Sequence, residues 1–246
     1  MQFNSRQEKL NQFGKALLEL RWQILHGKFK ANSRLPETAL AKRIGISRTP
    51  LRQAMDRLVE EGLLVRLNSG GCRVASFSIE DISDAIEIRG VLEGTAARLA
   101  AERGCDSFLI SQCQDLLNEL DDLFTQKDGL DFSRYVELNA RFHELLSRLS
   151  GSRIVQREVE KASRLPLASP SAFINGQEIV PDFCASLKLA QQQHRAIFEA
   201  IKNREGARAE SLAREHARLA RKNLDYVINA DSALVDSIPG LALVAI

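Results

Sequence analysis

The sequence predicts a mostly α-helical protein with two domains: three helices and a two-stranded hairpin, followed by a bundle of six antiparallel helices. Strand-like patterns occur only in the first third of the chain, whereas every apolar pattern beyond Ser78 repeats with helical spacing. The chain has 246 residues, 44% of them hydrophobic, so it is long enough to bury two cores. We expect domains at residues 1–77 and 78–231. A tail at 232–246 is expected to lie on the bundle or on a second subunit, or to be disordered.

Three helices are predicted at the start of the first domain. The first spans residues 13–25, where apolar side chains recur every three or four positions. The second is short and ends at Gly45. The third begins after Ser47, which is suited to cap it, has Pro50 in its first turn and buries a stripe of apolar residues.

The exposed side of the third helix is predicted to carry hydrogen-bond donors that suit phosphates and the edges of bases. A helix, a tight glycine turn and a second helix with a polar amino-terminal end form the helix-turn-helix arrangement of DNA-binding proteins. The candidate DNA-binding residues of this helix are Ser47, Arg48, Thr49, Arg52 and Gln53.

A hairpin is predicted after this helix. Apolar runs at residues 63–67 and 72–75 flank the turn Asn68-Ser69-Gly70-Gly71, and two short strands around a glycine-rich turn form a wing. We expect Gly70 and Gly71 to lie near the DNA backbone, where a tight turn needs conformational freedom and a close approach.

The segment LPETALAKRIGISRTPLRQAM, followed by LVEEGLLVRLNSGGCRVA, resembles the winged helix-turn-helix of the GntR family of bacterial transcription regulators. The resemblance implies a transcription regulator, more commonly a repressor than an activator. Because one recognition helix reads only a few base pairs, we expect a homodimer on a palindromic double-stranded DNA operator. An amphipathic helical hairpin that only packs is the alternative interpretation of these residues.

Charge is divided unevenly between the two predicted domains. Residues 1–77 contain 14 basic and 6 acidic side chains, whereas residues 78–246 contain 20 basic and 26 acidic ones. A basic amino-terminal domain favours binding to a polyanion such as DNA, and the acidic remainder is repelled by it. An uneven but ordinary solvated surface is the alternative.

No apolar run reaches the length that spans a membrane, and the amino terminus lacks the apolar core of a signal peptide. We therefore expect a bacterial cytoplasmic protein without a membrane partner. The four cysteines have no CxxC spacing and no small secreted scaffold to connect, so we expect them to be reduced and structural. A redox-sensing cysteine is the alternative.

Six helices are predicted beyond residue 78, separated by glycine-containing turns and one proline-containing loop. They are expected at residues 79–102, 107–126, 132–149, 154–164, 182–203 and 205–230. Helices joined in this way form an antiparallel bundle. The stretch DAIEIRGVLEGTAARLAAERG resembles the opening helix of the FCD effector-binding domain of one large GntR subfamily, and the resemblance extends over most of residues 80–230.

Three of the four histidines fall in the predicted bundle. Asn139 and His143 are four residues apart, so they project from one face of one helix. The FCD resemblance implies that Asn139, His143, His194 and His216 bind a divalent transition metal such as zinc or nickel. Many relatives have Asp at position 139, and because an amide brings no negative charge, we expect a weaker oxygen ligand here. Histidines that each satisfy a local polar need are the alternative.

A metal with an open position and a buried guanidinium would together suit a small carboxylate effector. The resemblance makes Arg89 the candidate for that guanidinium, and Asn139 and Arg141 are expected at the same effector site. Arg141 and Arg195 are weaker candidates than Arg89. An ion pair between Arg89 and Glu93, one helical turn apart, is the structural alternative.

Two further functions are weighed against a regulator that responds to an acid. In the first, the metal ion is itself the signal; in the second, the histidines hold a hydrolytic zinc ion. A hydrolase needs a positioned general base, and Glu144, next to His143, projects about 100° away around the helix. The sequence has no HExxH, GxSxG or phosphate-binding glycine loop, so we expect no catalytic residues and no enzyme.

Overall fold

A computed structural model describes residues 2–126, 129–165, 167–171, 181–228 and 240–244 of the protein. This part of the chain is mostly α-helical with one antiparallel hairpin, which confirms the predicted fold class. None of the helices within it is long and apolar enough to cross a membrane. The elements are α1 (Gln2–Leu25), α2 (Glu37–Ile44), α3 (Arg48–Glu60), β1 (Leu64–Arg66), β2 (Cys72–Val74), α4 (Ile79–Arg103), α5 (Ser107–Leu123), α6 (Phe132–Leu149), α7 (Arg153–Ser163), α8 (Pro181–Lys202) and α9 (Gly206–Ile228).

Two compact units divide the chain. The first, here called the winged unit, comprises Met1–Asp81 together with Pro239–Ile246, and the second, the helical unit, comprises Ile82–Ile238. The end of the chain forms a 3₁₀ turn at Leu241–Leu243. The sequence does not predict this location, because the apolar tail carries no signal for the surface on which it docks.

Helix α1 is longer than its apolar pattern predicts. The predicted span of residues 13–25 marks the part with a buried face, where Ala16, Leu20 and Ile24 have no exposed surface. The preceding residues are mostly polar and continue the same helix. A helical segment without an apolar face gives no periodic signal, which explains the difference.

Helices α2 and α3 meet at the predicted glycine turn. Gly45 has a φ of 73°, the left-handed conformation that ends α2, and its N–H donates to the carbonyl of Ala41. Ser47 precedes α3 with an extended backbone, but its side chain makes no capping hydrogen bond. Leu51 and Leu58 of α3 are fully buried in the core that α1 also builds. This packing turns the polar side of α3 towards solvent.

The hairpin closes one side of the same core. Strands β1 and β2 are antiparallel, with Leu64 opposite Val74 and Arg66 opposite Cys72. Leu64, Cys72 and Val74 are buried. The buried side chains of these short strands thus anchor the hairpin to the core by one face.

The six predicted helices make up the helical unit, each beginning and ending within three residues of its expected limits. Asp106, Asp131 and Ser152 accept backbone N–H bonds at the starts of α5, α6 and α7. Leucine and phenylalanine side chains from α5, α6 and α8 form most of the core. The four cysteines are free thiols, and those at 72 and 113 are buried in the two cores.

Helix α4 lies directly against α9. A Cβ atom at Gly90 would lie 2.7 Å from the Cβ of Ala217, and one at Gly94 would lie 2.9 Å from the Cγ of Arg214. A larger residue at either position would push the helices apart. The two glycines therefore bring the interior side chains of α4 and α9 together.

Candidate functional site

Helix α3 presents to solvent the donors that the sequence predicts for DNA binding. The exposed side chains are Ser47, Arg48, Thr49, Arg52 and Gln53. The Nε of Arg52 donates to Glu37 Oε2 at 2.8 Å. Arg48, by contrast, has no hydrogen-bond or ion-pair partner among the residues that the structure describes. Arg48 is therefore the less constrained donor of the two.

The tip of the wing has the backbone that the sequence predicts. Gly70 and Gly71 have φ angles of 86° and 78°, in the left-handed region that favours glycine. The Nη2 of Arg34 donates to the carbonyl of Gly70 at 2.8 Å, which ties the turn to the winged unit. A Cβ atom at Gly70 would have no atom within 4 Å, so the tip is open to an approaching phosphate backbone.

Three buried histidines converge inside the helical unit. His143 comes from α6, His194 from α8 and His216 from α9, and one ring nitrogen of each lies within 4.8 Å of the others. The Nε2 of His216 is 3.0 Å from the Nε2 of His194 and 3.3 Å from the Nε2 of His143. The structure thus brings together the three histidines that the sequence predicts as metal ligands.

Each of these imidazoles has an oxygen atom as the partner of its Nδ1. The pairs are His143 with Glu93 at 2.9 Å, His194 with Gln191 at 3.1 Å and His216 with Gln193 at 3.1 Å. Because a carboxylate or amide oxygen accepts, each Nδ1 carries the hydrogen. Each Nε2 then directs a lone pair towards the centre of the cluster, as in a metal-bound histidine with an outer hydrogen-bond partner.

The inward-facing nitrogens fit a metal ion better than they fit one another. With every hydrogen on Nδ1, no Nε2 is left to donate, so the three lone pairs repel. In a tetrahedral zinc site with Zn–N bonds of about 2.0–2.1 Å, neighbouring nitrogens are about 3.3 Å apart. The His216–His143 separation of 3.3 Å equals this value, and the His216–His194 separation of 3.0 Å is slightly shorter. Three neutral imidazoles are also a donor set that zinc and nickel accept.

Burial keeps two of the histidines uncharged. Desolvation lowers the pKa of His194 well below its ordinary value, and the nearby His216 and His143 lower it further. Burial and then His143 lower the pKa of His216 to about 3. The neutral imidazole is the form that binds a metal.

A buried pair of opposite charges on α4 lies beside the histidines. Burial raises the pKa of Glu93, but the charges of Arg89 and His143 outweigh it and hold this pKa at about 2. The Nη1 of Arg89 is 3.5 Å from Glu93 Oε1. Within the described part of the chain, Arg89 Nε and Glu93 Oε2 are buried without a hydrogen-bond partner. Such atoms are costly to leave unpaired, and the free guanidinium N–H is therefore a candidate ligand contact.

Glu93, Gln191 and Gln193 are site residues that sequence reasoning misses. The sequence indicates Glu93 only as a helical neighbour of Arg89, because its contact with His143 joins residues 50 positions apart. The glutamines stand in the run QQQH just before His194. The run suggests a glutamine partner for His194, which is Gln191. It gives no sign that Gln193 bonds to His216 on α9.

An interior cavity of about 30 Å³ borders the cluster and is lined by Arg89, Asn139, His143 and His216, among others. Asn139 lies beside the histidines as predicted, and its Nδ2 donates to Ser171 Oγ at 3.0 Å. This volume has room for about two water molecules, since the centre of one needs roughly 10–15 Å³ of open space. A ligand larger than that has to widen the cavity.

Two arginines proposed from the sequence lie elsewhere. Arg141 is exposed and lines a separate groove with side chains of α5 and α6. It is two residues from His143, and that spacing places it roughly 200° around the helix, away from the cavity. The expected contribution of Arg141 to the effector site therefore has no support from its position. Arg195 pairs with Asp121 at 2.5 Å, and Glu144 is exposed.

Comparison with known proteins assigns the chain to a family. The family described as "Bacterial regulatory proteins, gntR family" matches residues 15–74, and the family described as "FCD domain" matches residues 84–219, more than half of the chain. The chain belongs to the GntR family, in its FCD subfamily. It is therefore a DNA-binding transcription regulator, and this is a family of non-enzymes.

Several curated relatives of this GntR regulator cover most of its length. The uncharacterized HTH-type transcriptional regulator YdhC of Bacillus subtilis is 31% identical, over 79% of this chain and 84% of its own. In Escherichia coli K12, the Glc operon transcriptional activator is 26% identical, over 82% of this chain and 84% of its own. The galactonate operon transcriptional repressor is 27% identical, over 83% and 93%.

A solved structure has the same fold. The Escherichia coli protein McbR/YncC superposes with a TM-score of 0.59 and 20% identity, covering 87% of this chain and 96% of its own. At this identity the likeness concerns the fold alone.

Proposed function

We propose that this GntR-family regulator represses transcription from a palindromic operator as a homodimer, and that a small carboxylate releases it from DNA. The acid binds in the helical unit beside a zinc or nickel ion held by His143, His194 and His216. The observation that carries the proposal is the convergence of three buried Nε2 lone pairs next to the buried guanidinium of Arg89.

The charge of the site favours an anionic ligand. Arg89 and Glu93 offset each other, and an imidazole that binds a metal through Nε2 does so in its neutral form, so a bound divalent ion leaves a net charge of about +2 in a buried space. A carboxylate reduces that charge, and one of its oxygens accepts from the unpaired Nε–H of Arg89. When bound, the metal supplies a Lewis-acidic position for the other oxygen.

Asn139 makes the site less negative than an aspartate would. Its amide offers an oxygen without a charge, and its nitrogen is held by Ser171. The positive field that draws an acid into the cavity is therefore stronger with Asn139 than with Asp. An amide at residue 139 also holds the metal less tightly than a carboxylate would. We therefore expect the metal and the acid to bind best together.

Dimer formation follows from the size of the DNA-reading surface. One α3 helix contacts only a few base pairs, so two helices on symmetry-related half-sites are needed for specific affinity.

The name of one relative supports an acid as the signal, because galactonate is a carboxylate. One relative is named as an activator and another as a repressor, so the sign of regulation is itself a quantity to measure.

Metal analysis and DNA binding test the proposal together. Protein purified without chelator is expected to hold about one zinc or nickel ion per chain. A duplex selected from random DNA by the wild-type protein serves as the operator, and its affinity is measured with a panel of small carboxylates at constant zinc. Release by at least one acid is expected.

Substitution of one ligand gives the sharper arm of the test. His194→Ala is expected to lose both metal and acid response but to keep DNA binding, since the winged unit has its own core. His26→Ala, which alters an exposed histidine of the winged unit, is the matched control. A metal-free wild-type protein, together with an intact acid response in His194→Ala, would contradict the metal-anchored site.

The same titration, with metal salts and no acid, examines a second candidate function. The three histidines need no acid to complete a ligand set, which favours a regulator that senses the metal itself. Zinc-dependent operator affinity in the absence of any acid would support that candidate against the first.

A further inference from the structure

The carboxy-terminal residues 240–244 complete the core of the winged unit. Leu241 and Leu243 are 2% and 0% exposed. Leu243 belongs to the same core cluster as Leu20 of α1 and Leu51 of α3. A segment far away in sequence thus supplies part of the apolar interior on which the DNA-reading helix rests.

Backbone hydrogen bonds hold this segment on both sides. The N–H of Gly240 donates to the carbonyl of Leu25, at the end of α1, at 2.6 Å. The N–H of Phe77, which follows β2, donates to the carbonyl of Leu243 at 2.9 Å, and Phe77 and Val244 form a parallel bridge. The segment therefore bridges the end of α1 and Phe77, the residue that follows the hairpin.

Gly27 makes room for the segment. Its φ is +66°, and a Cβ atom at this position would lie 2.9 Å from the Cβ of Ala242. That distance is shorter than side chains tolerate, so any other residue would push the segment away from α1. Buried leucines, paired backbone and a side-chain-free position together make a surface built for this occupant.

We propose that residues 240–244 are an intramolecular ligand of the winged unit and provide its second covalent link to the helical unit. The chain leaves the winged unit at the start of α4, which carries Arg89, and returns to it after α9, which carries His216. Two of the four helices at the candidate ligand site, α4 and α9, are thus tied to the DNA-binding unit. A ligand that moves α9 acts on the winged unit through this second link, a consequence that rests on the proposed function.

Thermal unfolding tests the docking itself. Deletion of residues 240–246 and the single substitution Leu243→Ala are each expected to lower the melting temperature of the winged unit, the latter by roughly 5–10 °C. Leu18→Ala, which makes the same change at an exposed position of α1, is the control and should melt close to the wild type. Unchanged melting in both the deletion and Leu243→Ala would overturn the proposal.

A double-mutant cycle separates the contact from backbone strain. Gly27→Ala combines a left-handed φ with the close approach to Ala242, whereas Gly45→Ala has a φ of +73° and no atom within 4 Å. Deletion of residues 240–246 is expected to reduce the destabilisation by Gly27→Ala and to leave that by Gly45→Ala unchanged. Equal effects in the full-length and shortened chains would show that residue 27 is not part of the docking surface.

Hydrogen exchange tests the second link, with zinc alone as the probe. Zinc is expected to change the exchange rates of the Gly240 and Phe77 amides several-fold in the wild type. Insertion of ten Gly/Ser residues between Asp236 and Ser237 should abolish this change while the melting temperature of the winged unit stays within about 2 °C of the wild type. An identical zinc effect in both proteins would overturn the link. If zinc does not bind at all, the proposed function fails, and docking is still decided by the melting experiments.

Discussion

The winged unit and the helical unit hold their functional side chains in opposite ways. The candidate DNA-binding donors lie at and after the start of one short helix, α3, exposed to solvent, and Arg48 has no partner among the described residues. The residues of the candidate metal site are buried and come from α4, α6, α8 and α9. Water can satisfy the polar atoms of an exposed binding surface, so its side chains need few partners from the protein. A buried polar atom needs a hydrogen-bond partner or an opposite charge within the protein or its ligand.

This difference determines what a mutation does in each unit. An exposed arginine can be removed at the expense of DNA binding alone, because solvent replaces its contacts. A buried charge cannot be removed alone, because the opposite charge is left behind in a place where water cannot reach it. Substitutions on the exposed face of α3 should therefore change binding alone, whereas substitutions in the buried site should also change stability. This difference can be tested.

The largest effect is expected from breaking the buried ion pair. Arg89→Met leaves the carboxylate of Glu93 without its main counter-charge and should lower the free energy of unfolding by about 3–5 kcal/mol. Denaturant unfolding of the metal-free protein measures it. Arg98→Met is the control, since Arg98 pairs with Glu102 at the same i,i+4 spacing on the same helix, and with Glu210 of α9, but at the surface. Its effect should stay below about 1 kcal/mol.

The double variant with Arg89→Met and Glu93→Leu should recover much of the lost stability, because it removes both charges. A loss no larger than that of Arg98→Met would contradict the contrast between the buried and exposed pairs.

The next effect belongs to the winged unit. Arg48→Ala should weaken operator binding by about 1–3 kcal/mol at fixed salt without changing the melting temperature. The result for Arg52→Ala should be similar in size, with part of it arising from the carboxylate of Glu37 that is left unpaired near the DNA. Arg57→Ala, at the other end of α3, is the control. Unchanged affinity in both variants would mean that α3 is not the DNA-reading helix.

The winged unit could be predicted almost completely from sequence because its signals are local. The turn at Gly45, the start of α3 and the glycines of the wing each depend on neighbours within a few positions. The docking of Leu243 could not be predicted. It depends on a surface formed by residues more than 160 positions away in sequence.

The helical unit could be predicted as a set of helices but not as a site. Apolar periodicity indicates each helix, whereas the facing of Glu93 towards His143 depends on how α4 packs against the others. The resemblance to a family supplied the three histidines. It did not supply the orientation of Arg141, which lies two residues from His143 on α6 and therefore faces away from it, as helical spacing alone indicates.

Residue 139 allows one negative charge to be added to the proposed metal site by a nearly isosteric substitution. Asn139→Asp should tighten zinc binding about tenfold, since a carboxylate adds Coulomb attraction that an amide lacks. The same change should weaken binding of the acid effector. Competition with a coloured chelator measures the first effect, and Asn118→Asp, at an exposed position on α5, is the control. Equal zinc affinity in the Asn139 variant and the wild type would remove residue 139 from the site.

The smallest effect is expected at the wing. Gly70→Ala forces an L-residue to keep a φ of +86°, and because no atom lies within 4 Å of the added carbon, strain is the only penalty. Left-handed backbone raises the energy of such a residue by about 1–2 kcal/mol, so the melting temperature should fall by a few degrees. Gly14→Ala, in the middle of α1 with equally open surroundings, should instead stabilise by about 0.5–1 kcal/mol, because alanine favours helix there. Calorimetry should show a lower melting temperature for Gly70→Ala and a higher one for Gly14→Ala, and this contrast would separate backbone conformation from packing. A higher melting temperature for Gly70→Ala would show that the turn is not held in the left-handed region.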